Sequence, residues 1–351
     1  MTEIRPTRKR EDRLSSLPDA LLIDIISLVP TDAAIATAIA TAVLSPRWRF
    51  LWAHITSLDI DTRKFRLDAI NQVINKITSP SIKTFKLRVC GRTFVKGRTF
   101  VYCRTVMHTY FSGVMDSSCR RICDRNIEEI SLKIQDFNFD HILFQNPSCV
   151  FQIPSCVFQT LSLVLLELDS NIRGCCYGIS DDIFEFFPFT VKVCKGWGKL
   201  IESLPSLEVL SMVVPLTKDR YFLDKPQIDI SITSRNLVRL NLSVLGKELV
   251  NVVVDAPRLE YLRFDVLILS KFVFVKKPNS IREANISFDL EFTDDDDVDD
   301  DRNNWIMEFL GSISNVSSLT LCIRDDDVMI TTAVLFANLT YLRLQMSNLY
   351  L

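Results

Sequence analysis

Two periodicities divide this chain. Between residues 17 and 52 the apolar residues recur at helical spacing, and Leu21, Leu22, Ile25, Ile26 and Val29 form one wide stripe. Pro18 suits the first position of that helix, where its missing N–H costs nothing, Asp19 favours the positive end of the dipole, and Pro30 stops it. Asp32 is placed to cap a second helix with Ile35, Ile39 and Val43 on one face, and Ser45–Pro46 opens a third over RWRFLW. From about residue 80 the pattern changes to a six-residue phrase with apolar residues at positions one, four and six. It reads IKTFKL (82–87), IEEISL (127–132), FQTLSL (158–163), LEVLSM (207–212) and LVRLNL (237–242). It continues as LEYLRF (259–264), IREANI (281–286), VSSLTL (316–321) and LTYLRL (339–344).

Each phrase ends in the alternation of a strand buried on one face. The starts at 237, 259 and 281 are 22 apart, and 316 to 339 is 23. A period of about 20–29 residues, each unit giving one strand and a helix or irregular return, predicts a leucine-rich-repeat solenoid. Wider gaps, such as 82 to 127, leave room for insertions. Residues lying between the apolar positions, among them Arg239, Asn241, Glu260 and Arg263, are expected to face outward on the strands. Tandem copies GRTFVK–GRTFVY (91–102) and PSCVFQI–PSCVFQT (147–160) are too short to be structural units and read as added linker length.

The N-terminal helices number three over about forty residues, too few to bury a good core alone, so the unit needs a partner surface. Its phrases DRLSSLPDALLIDIIS and VLSPRWRFLW resemble the plant-type F-box, with its Leu-Pro-Asp start and Leu-Ser-x-Arg-Trp-x-x-Leu-Trp end. IESLPSLEVLSM and VVVDAPRLEYLRF are likewise similar to the plant F-box/leucine-rich-repeat family. The fold implied is α/β: a small three-helix F-box followed by an irregular, horseshoe-like leucine-rich-repeat solenoid. The domains read as a basic flexible tail at 1–12, an F-box at 13–58 and a solenoid at 59–351, C-terminally uncapped and without the further C-terminal domain of many relatives. An uncapped end is expected to associate or aggregate.

The resemblance implies a substrate-recognition subunit of a cullin-based ubiquitin ligase, in which the F-box binds a Skp-type adaptor and, through it, a cullin. The solenoid then binds a target protein whose identity the sequence does not carry. Adaptor-facing candidates by this resemblance are Leu17, Pro18, Leu21, Leu22, Ile25, Leu44, Trp48 and Trp52. One departure stands out: residues 34–41 read AIATAIAT, and four added helical residues turn the downstream chain by about 40° and advance it by roughly 6 Å. Adaptor binding is expected to persist with reduced affinity.

Composition narrows the alternatives. Across 351 residues, 48% hydrophobic and 24% charged describe a chain with a real core. Lys+Arg 41 against Asp+Glu 43 lacks the basic excess of a nucleic-acid binder. The charged N-terminus has no apolar segment of a secretory leader, and neither 33–44 nor 161–168 is long enough to span a membrane. The 10 cysteines therefore read as reduced thiols of the cytoplasm or nucleus, and RPTRKR as a solvated tail.

No catalytic site, cofactor or metal is expected. His54, His108 and His141 accompany no nucleophile motif, and GRTFVKGRT departs from a phosphate loop in both spacing and its missing Lys. Cys119 and Cys123, and the pair Cys175–Cys176, lack a second ligand pair for zinc. The acidic run Asp294–Asp297 with Asp299–Asp301 lacks the turn glycine of a calcium loop and reads as a solvated insertion.

Overall fold

The computed structural model describes residues 16–41, 47–64, 67–90, 92–95, 98–101, 120–135, 149–170, 175–180, 201–202, 204–215, 228–245, 250–266, 271–289, 299–324 and 336–346. Helices α1 (Asp19–Ser27), α2 (Thr31–Thr41) and α3 (Trp48–Leu51), with a 3-10 turn at Trp52–His54, lead into a ten-stranded sheet. Its strands are β1 (Ser57–Asp61), β2 (Thr84–Cys90), β5 (Glu129–Gln135), β7 (Leu165–Ser170), β9 (Val209–Pro215), β11 (Arg239–Leu245), β13 (Tyr261–Val266), β15 (Glu283–Asp289), β16 (Ser318–Arg324) and β17 (Tyr341–Met346), in that spatial order and all parallel.

The repeated phrase explains this sheet. Its sixth-position residues Leu87, Leu132, Leu168, Met212, Leu242, Phe264, Ile286, Leu321 and Leu344 stand in register from strand to strand. All but Leu344 are buried. The residue just ahead of each strand adds a second ladder: Lys83 N–H donates to Thr56 O at 2.7 Å, Val238 N–H to Glu208 O at 2.8 Å, and Thr340 N–H to Ser317 O at 2.8 Å. Every coil thereby repeats the same local geometry, as a solenoid requires.

The structure differs from the sequence reading at two coils. Residues 158–163 do not form a strand; Leu161 is exposed, and the phrase in phase is LVLLEL (163–168), with Leu163, Leu166 and Leu168 buried. The apolar run there accepts either frame, and the register of Leu166 with Ile130 and Leu168 with Leu132 selects the second. A coil absent from the sequence reading lies at ITSLDI (55–60), where Ile55, Leu58 and Ile60 are buried and β1 pairs with β2. β1 runs across the boundary drawn at 58/59.

The return side of the coils is varied. Helix α4 (Leu67–Lys76) follows β1, helix α5 (Asp299–Ser312) precedes β16, and β10 (Ile228–Thr233), β12 (Val250–Asp255) and β14 (Lys271–Phe274) form a parallel ribbon. Two further ribbons come from the tandem copies. β3 (Arg92–Val95) and β4 (Arg98–Val101), both RTFV, pair antiparallel with each other. In the other duplication the first copy contributes β6 (Cys149–Pro154), paired with β8 (Cys175–Ser180), whereas the second forms a 3-10 turn at Ser155–Gln159 with Val157 in the core. The same residues thus take two conformations by context, as weak local propensities allow. Trp305 and Phe309 of α5 meet Phe288 edge-on, Phe309 also meets Phe272, and Phe272 in turn meets Phe264. Residues 299–301 form the first turn of α5, and only 294–297 of the acidic run lies outside the described residues.

Candidate functional site

The helical unit and the solenoid share one core. Leu22, Ile26, Ala34, Trp48 and Leu51 pack continuously with Ile55, Leu58 and Ile60 of the first coil. Two side-chain hydroxyls fasten the joint: Thr31 Oγ1 accepts from Asp59 N–H at 2.8 Å, and Ser27 Oγ from Thr56 N–H at 3.0 Å. Lys64 adds an ion pair to Asp32 at 2.9 Å. The partner surface that three short helices need is therefore supplied in part by the chain itself.

The start and the end of the box meet in space. Arg47 Nη2 donates to the Leu17 carbonyl at 2.7 Å, and the same guanidinium pairs with Asp19. That contact gives the two separated motifs a common purpose: the arginine at the N-cap of the last helix holds the entry of the first. Pro18 is the N-cap residue of α1, one position ahead of the sequence expectation, and Asp19 opens the helix. Likewise α2 begins at Thr31, so Asp32 lies inside its first turn and does not cap it. Ala34 and Ala38 are fully buried in α2, whereas Ile35 is half-buried. These two alanines occupy equivalent places in the two AIAT copies, so the added turn keeps the buried stripe. Helix α3 remains seated, with Trp48 7% and Leu51 5% exposed.

The adaptor-facing candidates separate into two sets. Leu22 is fully buried and Trp48 nearly so, and Leu17 and Trp52 pack half-buried against the same core. In this chain those four hold the box together. Pro18, Leu21 and Ile25 are exposed, and Leu44 lies outside the described residues. The wide stripe read from the sequence is thus two faces: Leu22 and Ile26 point inward, while Leu21, Ile25, Leu28 and Val29 point out. Leu28 is 85% exposed, and Leu21 and Ile25 on α1 with Leu28 and Val29 just past its end make an outward apolar stripe that marks a contact surface. Leu28 and Val29 were missed as candidates; their spacing from Leu21 and Ile25 was the available signal. On another side, Asp19, Ile23, Arg47, Phe50, Leu51 and His54 line a cleft, with Phe50 66% exposed.

The second surface is the outward row of the ten-stranded sheet. Arg88 joins Asp59 at 2.7 Å and lies 3.8 Å from Asp61, which Arg63 holds at 2.6 Å. Farther along, Lys133 pairs with Glu167 at 2.8 Å, and Ser131 donates to the same carboxylate at 2.6 Å. Burial pushes against ionisation of Asp61 and Glu167, but hydrogen bonds from Arg63, and from Lys133 and Ser131, hold both carboxyls below their ordinary range. Asp169 beside them is raised by burial and by Glu167, against the pull of Lys133. Beyond the centre, Arg239 lies 4.3 Å over the Tyr261 ring, Asn285 Nδ2 donates to the Tyr261 hydroxyl at 3.0 Å, and Arg263 pairs with Asp265 at 2.8 Å. The outward positions named from the sequence, Arg239, Asn241, Glu260 and Arg263, are exposed or half-buried.

Among the described residues no cluster of three metal-ligating side chains occurs, and no helix is long and apolar enough to cross a membrane. The arrangement offers surfaces for binding: an apolar stripe on the helical unit and a polar, charge-paired face on the sheet.

Relatives among known proteins bear on what these surfaces are. No protein-family model matches the chain, and no solved structure matches it. An FBD-associated F-box protein of Arabidopsis thaliana is 26% identical over 336 residues, covering 89% of this chain and 64% of that protein. F-box/LRR-repeat protein 13 of the same plant is 26% identical over 322 residues, covering 88% of this chain and 64% of its own length. A third Arabidopsis thaliana protein, described as an F-box/LRR-repeat protein, is 41% identical over 76 residues, 22% of this chain and 16% of that one. The chain thus spans a little under two thirds of two of these relatives, 64% in each case. With helices placed before a long parallel sheet, the chain is similar over most of its length to plant F-box/leucine-rich-repeat proteins, as a distant homologue.

Proposed function

We propose that this chain is a non-catalytic substrate receptor of a cullin-type ubiquitin ligase, working inside the cell in cytoplasm or nucleus. The outward stripe of Leu21, Ile25, Leu28 and Val29 docks a Skp-type adaptor, and the adaptor connects the chain to a cullin. Leu22, Trp48 and Trp52 act indirectly, by holding α1 and α3 in place beneath that stripe. The outward face of the ten-stranded sheet holds the target protein. Rate enhancement then comes from proximity: an acceptor lysine held near an activated ubiquitin reacts at a raised effective concentration, and other subunits carry the covalent chemistry.

The observation that carries this reading is the apolar stripe left open on α1 while the opposite face of the same helix is fully packed. The shared core and the Thr31 and Ser27 hydrogen bonds join box and solenoid, so an adaptor on α1 sets the direction in which the target is presented. The test is a pull-down of purified full-length chain by a Skp-type adaptor, with and without one AIAT copy. Binding by the intact chain, tightened when one copy is removed, is the expected result. A second reading, a repeat-protein scaffold that has lost ligase coupling, is favoured by that duplication; no binding by the intact chain would decide for it.

A further inference from the structure

The outward face of the ten-stranded sheet is not uniform. Across β1 to β7 its cations lie among acids: Arg88 pairs with Asp59, Arg63 with Asp61 and Lys133 with Glu167, and Lys86 stands in register with Asp59. From β7 to β13 the pattern changes. One row of register partners there reads Leu165, Val209, Arg239 and Tyr261, on β7, β9, β11 and β13 in turn. Leu165, Val209 and Tyr261 are half-buried and Arg239 is exposed. The Arg239 guanidinium lies 4.3 Å over the Tyr261 ring, a stacking that orients its plane and leaves the N–H groups of its edge open. Among the described residues no carboxylate pairs with it. The Tyr261 oxygen accepts from Asn285 Nδ2 at 3.0 Å, so the phenol keeps its own proton to donate. The acid closest along β13, Asp265, is already held by Arg263 and Ser243, and Glu283 stands in register beyond Tyr261, two strands from Arg239.

We propose that the row of Leu165, Val209, Arg239 and Tyr261 anchors the target protein by an extended segment that carries an aliphatic and an acidic side chain two residues apart. The carboxylate takes the open edge of the Arg239 guanidinium, where two parallel N–H donors match its two oxygens, and the Tyr261 hydroxyl donates a third hydrogen bond. The aliphatic side chain covers Leu165 and Val209. Val209 is one strand and Leu165 two strands from Arg239, about 5 and 10 Å at the usual strand spacing, and side chains two residues apart on an extended chain stand about 7 Å from each other. The spacing of the row thus fits a segment crossing the strands. This assignment rests on the receptor role proposed above for its meaning as a target site, and it names the chemistry that the sheet selects.

The test selects a phage-displayed random peptide library on the full chain, with no adaptor present. Enriched peptides are expected to share an Asp or Glu two residues from a Leu, Ile or Val. Arg239→Glu is expected to weaken the best such peptide at least about tenfold at unchanged melting temperature, and to regain binding when the acidic residue of the peptide is replaced by Lys. Tyr261→Phe keeps the ring, loses the O–H and is expected to weaken it severalfold. On the wild-type chain, a diazirine analogue of the aliphatic residue is expected to cross-link within β7 to β13, which decides the matter even where a variant fails to fold. No enriched motif, a motif without an acidic residue, undiminished binding by Arg239→Glu, or cross-links outside β7 to β13 overturns the proposal. Failure of adaptor binding counts against the receptor role alone, because this selection contains no adaptor.

Discussion

Thr31→Val probes the joint between box and solenoid with little change of volume. Thr31 is fully buried, and its Oγ1 is the acceptor for the Asp59 N–H at 2.8 Å. Val keeps the branched shape and a similar helix propensity, so the cavity and backbone contributions nearly cancel. The effect that remains is an Asp59 N–H left without its acceptor in the middle of β1, worth about 1–3 kcal/mol of lost stability. Urea denaturation of the full chain measures it, and amide exchange at Asp59 localises it. Thr31→Ser restores the oxygen and is expected to recover most of the loss. A Thr31→Val chain as stable as wild type, within about 0.5 kcal/mol, refutes the joint. So does Thr31→Ser proving as damaging as Thr31→Val, because packing and not the hydrogen bond would then be at stake.

Burial and charge give two further expected outcomes. Leu262 and Leu342 occupy the same place in their phrases, but Leu262 is 0% and Leu342 50% exposed, so in denaturation Leu262→Ala costs about 2–5 kcal/mol and Leu342→Ala under about 1 kcal/mol. The lowered carboxyls of Asp61 and Glu167 stabilise the fold above the ordinary carboxylate range, and that contribution is lost as pH falls through their depressed folded values. Asp169, raised in the fold, has the opposite sign: its charged form weakens the native state above the ordinary carboxylate range, and protonation relieves it. Asp169→Asn is therefore expected to stabilise the chain at neutral pH and to lose that advantage on acidification, as read from melting temperature against pH.

Much of the fold was legible because a solenoid writes its core locally. Each buried triplet, such as Leu237, Leu240 and Leu242, sits within six residues, and its neighbours in space repeat it. Where the local signal was degenerate the reading slipped: the leucine-rich run at 161–168 fits two frames, and only pairing with β5 chooses between them. The coil at Ile55, Leu58 and Ile60 escaped because it follows the last helix without a linker and was assigned to the box. The site was legible as a motif but not as a surface. Helical periodicity placed Leu21, Leu22, Ile25 and Ile26 on one stripe, and only the packing of α1 shows that it divides between core and solvent. The burial of Ala34 and Ala38 escaped because size was read as burial, whereas a small side chain is fully buried where helices pack closely.

The most direct measurement is the dissociation constant of a Skp-type adaptor for the full chain, by calorimetry, beside a Leu21→Asp/Ile25→Asp double variant. Both residues are about half exposed, 49% and 46%, so the variant is expected to keep the wild-type melting temperature. Burying two carboxylates against an apolar partner surface is expected to weaken binding by at least roughly a hundredfold. Saturable adaptor binding by the wild-type chain, lost in the folded double variant, is the expected result. No binding by the wild type, or the same affinity in both, contradicts the docking role of the α1 stripe.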